Sequence, residues 1–147
     1  MMTPFSLNIK GRLMTYDRPA VMAVANFTPD SFYAASRTLG DDSRLADTVR
    51  RAIDEGADMI DCGAYSSRPG ADDVSADEET RRLSHGLEII RRVAPDAIVS
   101  VDTFRASVAR RAVCDFGADI INDISGGTLD EAMFDTVAEL GVPYVLM

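Results

Sequence analysis

The sequence contains no tryptophan, a single histidine and two cysteines among its 147 residues. Cys62 and Cys114 form no spaced metal or redox motif, so we expect two reduced and largely buried thiols. His85 stands alone within a helical pattern, which argues against a role as a metal ligand. These shortages argue against a metal centre built from cysteine or histidine.

Long apolar runs and positive charge are also scarce. No run approaches the roughly 20 residues of a membrane-spanning helix, and the first residues lack the basic and apolar regions of a signal peptide. We therefore expect a cytoplasmic protein with no membrane partner. The net charge of −9, with Lys10 as the only lysine, argues against nucleic acid or an anionic membrane as the main partner. Any anionic ligand must then be held by a few local groups.

Short apolar stretches alternate with helical patterns along the chain. Alternating polar and apolar residues around Gly11 predict a β-hairpin over residues 5–14, which we expect to cover one end of the core. Ser75 with Glu78, and Thr128 with Glu131, have the spacing of capping boxes. Strands are predicted at residues 21–25, 57–63, 97–101, 118–121 and 142–147, and helices at 41–56, 75–95, 103–116 and 129–140.

Alternation of strand and helix predicts an α/β domain with parallel strands. The turn after the first parallel strand lacks the glycines of a doubly wound nucleotide site, which favours a (β/α)8 TIM barrel. In a barrel, side chains at the C-terminal ends of the strands converge on one mouth. The ends of the predicted strands carry Asn26, Asp61, Asp102, Asn122 and Asp123. Among these we expect Asp61 to pair with a neighbouring strand or loop.

The length of the chain covers only part of such a barrel. With 46% hydrophobic residues it can bury a sizeable core, and we expect residues 1–147 to belong to a single domain. A complete barrel needs about 250 residues and eight strand and helix units. We therefore expect the chain to supply an N-terminal hairpin and about the first five strands of a longer protein, truncated here at the C-terminus.

Two loops, at residues 28–40 and 65–74, are longer and more polar than the connections require. Long loops at the catalytic face of a barrel commonly bind or cover ligands. The guanidinium of Arg68 beside the hydroxyls of Ser66 and Ser67 suits an anion such as phosphate or carboxylate. A surface loop with a solvated arginine remains the alternative when this segment is considered alone.

Four segments considered together resemble dihydropteroate synthase, an enzyme family of folate biosynthesis. They are Asn-Phe-Thr-Pro-Asp-Ser-Phe at 26–32, Ser-Ser-Arg-Pro-Gly-Ala at 66–71, Ser-Val-Asp-Thr at 100–103 and Ile-Asn-Asp-Ile at 121–124. They follow the family's order, and the similarity extends over essentially the whole chain. The resemblance implies a transferase that condenses 6-hydroxymethyl-7,8-dihydropterin diphosphate with p-aminobenzoate, giving 7,8-dihydropteroate and pyrophosphate.

The same resemblance implies roles for individual residues. Asn26 would be a ligand of Mg²⁺, Arg68 and Asp102 would be catalytic, and the full-length protein would be a homodimer. Asp102 and Asn122 would hold the pterin ring. The implied substrate-binding residues are Thr28, Phe32, Ser66, Ser67, Arg68, Pro69, Asp102 and Asn122.

The sequence departs from the family at residues 33–37, which read Tyr-Ala-Ala-Ser-Arg where the family usually has serine, aspartate and glycines. Two other functions remain open. A pterin-binding domain that presents methyltetrahydrofolate to a corrinoid partner would not need the Arg-Pro-Gly at 68–70 or the loop after Asn26, so both segments favour the synthase. An inactive barrel fragment is the other alternative, and we expect the isolated 147-residue chain to be inactive.

Overall fold

The computed structural model describes residues 3–27, 39–65 and 73–147. Within these ranges a two-stranded hairpin precedes five parallel strands that alternate with helices, and the parallel strands pair in chain order. This confirms the predicted α/β class, with a hairpin and five parallel strands. The elements are β1 (Phe5–Ile9), β2 (Arg12–Tyr16), β3 (Met22–Asn26), α1 (Leu39–Asp54), β4 (Met59–Gly63), α2 (Ala76–Val93), β5 (Ile98–Asp102), α3 (Ala106–Cys114), β6 (Ile120–Asp123), α4 (Met133–Leu140) and β7 (Tyr144–Leu146).

The hairpin covers the N-terminal end of the parallel strands. Lys10 and Gly11 form its turn with φ angles of 49° and 79°, and positive φ at both positions matches the twist of a two-residue hairpin. Ile9 packs in a buried cluster with Met59 and Ile120, which come from the starts of β4 and β6. The expectation that the hairpin covers one end of the core is therefore confirmed.

The two faces of the parallel sheet differ in chemistry. One face packs on the helices through fully buried aliphatic side chains such as Ile60, Val99 and Leu87. The other face changes along β3, β5 and β6, from apolar residues under the hairpin to polar residues at the C-terminal ends. On β5, for example, Ile98 is followed on the same face by Ser100 and Asp102, because alternate residues of a strand share a face. This second face carries the candidate site.

Helix α2 begins as the sequence predicts. The hydroxyl of Ser75 accepts a hydrogen bond from the backbone N–H of Glu78 at 3.2 Å. An oxygen at this position satisfies one of the free N–H groups of the first turn. The cap fixes the point at which the chain after β4 enters the helix.

The predicted cap at Thr128 was wrong. Helix α4 begins at Met133 without a side-chain cap, and the hydroxyl of Thr128 instead donates to the backbone oxygen of Ser125 at 2.7 Å. A local turn has taken the hydroxyl, as threonine side chains often allow. Asp130 from the same loop accepts a hydrogen bond from the N–H of Ala106 at 2.8 Å and so caps α3.

In the part of the chain that the structure describes, neither the cysteines nor the histidine belongs to a group of side chains that could hold a metal ion. Cys62 is buried, but Cys114 is exposed, so the prediction that both thiols are largely buried was wrong for Cys114. His85 lies on α2 with its Nε2 2.8 Å from Oδ1 of Asp42 on α1. Among the described residues, no helix is long and apolar enough to cross a membrane.

A groove of about 760 Å³ lies at the hairpin end of the sheet. The buried carboxylate of Asp119 in its wall is already bound by Lys10 and Arg91, at 2.6 and 3.0 Å. Asp58 is likewise bound by Arg18, at 2.6 Å. Because these charges neutralise one another, the groove offers a ligand fewer unpaired polar groups than the opposite end of the strands.

Candidate active site

Three polar side chains lie level with one another at the C-terminal ends of β3, β5 and β6. Asn26 pairs in register with Gly63 of β4, Gly63 with Asp102, and Asp102 with Asn122. A Cβ atom at Gly63 would lie 3.1 Å from Oδ1 of Asn26 and 3.5 Å from Oδ2 of Asp102. The missing side chain of Gly63 therefore leaves the amide and the carboxylate on either side of an open position.

A second polar layer lies one pleat below the first. Asp61 and Ser100 are register partners on β4 and β5. The amide nitrogen of Asn122 donates to Oδ2 of Asp61 at 3.2 Å. Asp61 was expected to pair with a neighbouring strand or loop, but this partner lies on β6, which is separated from β4 by β5. This bond fixes the amide of Asn122 so that its oxygen is free for another partner.

Three buried polar atoms in these layers have no hydrogen-bond partner among the described residues: Oδ1 of Asp61, Oγ of Ser100 and Oδ1 of Asn122. Asp61 is 6% exposed, Asn122 9% and Ser100 not at all. An unsatisfied buried polar group costs about 1–3 kcal/mol. A ligand with several N–H donors would satisfy these oxygens, so the layers are suited to a nitrogen-rich heterocycle.

Asp102 is the titratable group at the centre of the site. Burial raises its pKa to about 6, and the negative charges of Asp61, Glu79 and Asp123 act in the same direction. A partly buried carboxylate among other carboxylates is stabilised by N–H donors or by a cation. Asp102 is therefore expected to be a strong acceptor for a ligand that supplies either.

Asp123 holds the chain that leaves β6. Its carboxylate accepts hydrogen bonds from the hydroxyl of Tyr144 at 2.6 Å and from the backbone N–H groups of Ser125 and Gly127 at 2.7 and 3.0 Å. Burial alone would raise the pKa of Asp123, but these bonds bring it below its usual range. Burial and the neighbouring Asp123 raise the pKa of Tyr144. Asp123 therefore organises the loop after β6 and leaves Asn122 as the ligand-facing residue of that strand end.

The structure brings together Asn26, Asp102 and Asn122, and their roles toward a ligand remain predictions. The other residues predicted for the site lie outside the described residues, and the structure assigns them no geometry: Thr28, Phe32, Ser66, Ser67, Arg68 and Pro69. Sequence reasoning missed Ser100 and Gly63. Both were accessible from period-two counting, since Ser100 shares a face with Asp102 and Gly63 with Asp61.

The described residues contain no group of three or more His, Cys, Asp and Glu side chains that could hold a metal ion. The nearest candidates are the Oδ1 of Asn26 and the carboxylate of Asp102, which face the same open position beside Gly63. Carboxylate and amide oxygens are the donors that Mg²⁺ prefers, and Mg²⁺ commonly completes its shell with water and substrate phosphates. The donor chemistry of this strand end therefore fits Mg²⁺ with an incomplete protein shell.

A parallel sheet with polar side chains at the C-terminal ends of several strands, here β3, β5 and β6, is an arrangement found in (β/α)8 barrel enzymes. The sequence profile of the pterin binding enzyme family matches residues 22–147, and the chain belongs to this family.

Curated relatives include folate synthesis bifunctional proteins and proteins named as inactive dihydropteroate synthases. The mitochondrial folate synthesis bifunctional protein of Arabidopsis thaliana is 47% identical over 129 residues, which cover 86% of this chain and 23% of that protein. The inactive dihydropteroate synthase 2 of Mycobacterium tuberculosis is 45% identical over 135 residues, covering 92% of this chain and 41% of that protein. The chain thus spans less than half the length of these relatives.

Among solved structures, the dihydropteroate synthase of Xanthomonas albilineans with 4-aminobenzoic acid superposes with a TM-score of 0.80 at 39% identity. The superposition covers 99% of this chain and 52% of that chain. The described fold is therefore that of about half of a dihydropteroate synthase barrel.

Proposed function

We propose that the protein of which this chain forms part is a dihydropteroate synthase. It would condense 6-hydroxymethyl-7,8-dihydropterin diphosphate with p-aminobenzoate, forming 7,8-dihydropteroate and releasing pyrophosphate. The proposal rests on one observation in a chain of the pterin binding enzyme family. Asn26, Asp102 and Asn122 lie level at adjoining strand ends, where buried side-chain oxygens have no hydrogen-bond partner among the described residues.

The pterin ring accounts for the polar layers. Its amino group and ring N–H groups are donors, and Asp102 with the free oxygen of Asn122 are acceptors at adjacent strand ends. Asp61 accepts a hydrogen bond from the amide nitrogen of Asn122, which leaves the amide oxygen of Asn122 pointing away from Asp61. Because these groups are buried, each hydrogen bond to the pterin contributes to the binding free energy by satisfying a group that would otherwise have no partner.

We further propose Mg²⁺ as the cofactor, with Asn26 as its protein ligand. The amide oxygen of Asn26 is a hard donor at the edge of the ligand position, beside Gly63. Bound there, Mg²⁺ would neutralise negative charge on the diphosphate of the substrate. The chain's own contribution is to place this oxygen next to the pterin acceptors.

The two long loops supply the remaining proposed contacts. Arg68, with Ser66 and Ser67, would bind the diphosphate, and Phe32 and Pro69 would approach the p-aminobenzoate. Departure of pyrophosphate before attack by a weakly nucleophilic aniline requires stabilised negative charge and exclusion of water more than a strong base. Arg68 and Asp102 are accordingly the residues proposed as catalytic. A cytoplasmic location and a homodimer complete the proposal.

An inactive pterin-binding protein is the second candidate. The observation that favours it is the 45% identity to the inactive dihydropteroate synthase 2 of Mycobacterium tuberculosis, a level close to the 47% found for the Arabidopsis protein. Such a protein would keep the pterin layers and lack turnover.

The two candidates differ in one experiment. The intact protein is mixed with the pterin diphosphate, p-aminobenzoate and Mg²⁺, and dihydropteroate is measured by mass spectrometry while pyrophosphate is followed in a coupled assay. Stoichiometric formation of both products supports the synthase. Pterin binding without product supports the inactive protein, and the absence of both would refute the proposed site.

A further inference from the structure

Glu79, on the first turn of α2, is a charged residue with no solvent exposure. Its Oε1 accepts a hydrogen bond from the hydroxyl of Thr103 at 2.7 Å. Its Oε2 accepts one from the guanidinium of Arg105. Both oxygens are therefore engaged by the turn that follows β5, and a buried carboxylate with such partners is held firmly because losing either one is costly.

Thr103 connects Glu79 to the candidate site. It follows Asp102 directly, and its backbone N–H donates to the backbone oxygen of Asn122 at 3.0 Å. Its hydroxyl, which donates to Glu79, also accepts from the backbone N–H of Arg105 at 3.2 Å. Glu79 thus holds a residue whose backbone bonds the end of β5 to the end of β6, next to both proposed pterin acceptors.

Arg105 extends the contacts to the neighbouring strand end. Its guanidinium lies over the rings of Tyr65 and Phe104, at 5.1 and 4.8 Å from their centroids, and these rings meet edge to face at 5.2 Å. Tyr65 comes two residues after the end of β4. The ion pair of Glu79 and Arg105 therefore joins the residues that follow β4 and β5 to α2.

A matched comparison exists at the other end of the sheet. Asp119 is also almost fully buried, at 3% exposure, and its carboxylate binds Lys10, Arg91 and the backbone N–H of Val99. Like Glu79 it is a buried carboxylate held by a basic side chain, but it directly precedes β6, three residues before Asn122 and at the opposite end of that strand. A general effect of lost stability on ligand binding would appear equally in variants of the two residues.

We propose that Glu79 is a positioning residue of the pterin site, which acts through Thr103 to hold Asp102 and Asn122 at their relative positions. The proposal rests on the proposed function. Glu79 touches no ligand in this account, and its effect is transmitted by the hydroxyl of Thr103 and the backbone bond from Thr103 to Asn122.

The test measures the affinity of the intact protein for 6-hydroxymethyl-7,8-dihydropterin by calorimetry. The variants are Glu79→Gln, Thr103→Val, Thr103→Ser and the control Asp119→Asn. The thermal unfolding midpoint of each variant is measured as well. We expect Glu79→Gln and Thr103→Val to weaken binding about tenfold, the effect of losing roughly one hydrogen bond to a charged group. Thr103→Ser keeps the hydroxyl and should retain affinity within about twofold, although it loses a buried methyl group. Asp119→Asn should unfold at lower temperature and bind the pterin as the wild type does.

Three results overturn the inference while leaving the proposed function intact: wild-type affinity in Thr103→Val, equal losses in Thr103→Ser and Thr103→Val, or an equal loss in Asp119→Asn. A wild-type protein that binds no pterin overturns the proposed function itself. If Glu79→Gln does not fold, the valine and serine variants of Thr103 still decide the question, because both keep the ion pair of Glu79 and Arg105 and differ in the hydroxyl that donates to Glu79.

Discussion

Asp102 is a single residue whose ionised form destabilises the folded protein when no ligand is bound. Its carboxyl lies at the end of β5 near Asp61, Glu79 and Asp123, and burial with these charges raises its pKa to about 6. In the unfolded chain the same group has an ordinary pKa near 4. Folding thus stabilises the protonated form, and the ionised form at neutral pH reduces the stability of the protein.

The pH dependence of unfolding follows from this shift. Between about pH 4 and pH 6 the folded state binds more protons at Asp102 than the unfolded state, so this residue's contribution to stability is present below pH 4 and is lost as the pH rises through 6. Asp102→Asn removes the charge at nearly constant shape. We expect the variant to equal the wild type at pH 4 and to exceed it by roughly 1 to 2 kcal/mol at pH 7, after allowance for solvent screening of a partly exposed group.

Urea denaturation of both proteins between pH 4 and pH 7 measures the difference. Asp96→Asn, at an exposed turn before β5, is the control and should show no such dependence. A variant that is less stable than the wild type at pH 7 would contradict the electrostatic account of Asp102.

At the scale of elements, glycine positions set how closely the strand ends and helices approach. Gly86 lies in the middle of α2, where alanine would normally be preferred by about 1 kcal/mol. A Cβ atom there would lie 2.3 Å from the ring of Phe27, the buried residue that follows Asn26. The glycine therefore allows Phe27 to pack on α2 and fixes the chain immediately after β3.

Gly86→Ala should consequently destabilise the protein, by roughly 1–3 kcal/mol for the overpacked ring, against the usual effect of this substitution in a helix. Chemical denaturation gives the sign directly. Glu88→Ala, at an exposed position of the same helix, should change stability little. A gain in stability for Gly86→Ala would show that Phe27 does not pack as described.

Gly63 has the corresponding role inside the site. Its φ is not in the positive range, so alanine meets no backbone strain, but the added Cβ would press on Asn26 Oδ1 and Asp102. We expect Gly63→Ala to fold with near wild-type stability and to bind the pterin about tenfold more weakly, as a misplaced acceptor would cause. Cys62→Ala, on the opposite face of β4, is the matched control for calorimetry. Unchanged pterin affinity in Gly63→Ala would argue against this open position as part of the site.

The sequence predicted the elements better than the contacts between them. The alternation of apolar strands and helical patterns was sufficient for the parallel sheet. Strand ends indicated five polar residues, and the family resemblance was needed to select Asn26, Asp102 and Asn122 among them. The capping of α3 by Asp130 could not be predicted, because it joins residues 24 positions apart through a loop. The burial of Glu79 could not be predicted for the same reason, since its partners Thr103 and Arg105 follow the next strand, β5.

At the scale of the whole molecule, the described strands form an open sheet. β3 and β7 each pair with one neighbour in the described part of the chain, and the side chains of Val24 and Leu146 on these strands are 62% and 60% exposed. Unpaired edges and exposed apolar side chains favour association with other chains. The chain also spans about half of the solved synthase that it resembles.

A polypeptide limited to residues 1–147 should therefore associate in solution and form no dihydropteroate. Light scattering coupled to gel filtration measures the first property, and a coupled pyrophosphate assay the second. The intact protein provides the control for both. Turnover by a monomeric 147-residue polypeptide would contradict the expectation that further strands are needed.

The C-terminal ends of β3 to β6 are proposed to hold a pterin ring through Asp102. Calorimetric titration of 6-hydroxymethyl-7,8-dihydropterin into the intact wild type and into Asp102→Asn tests it most directly, with Asp96→Asn as the control. We expect one binding site in the wild type and in the control, and a loss of roughly 1.5–3 kcal/mol of binding free energy in Asp102→Asn, the range for a hydrogen bond to a charged group. Equal affinity in all three proteins would contradict it.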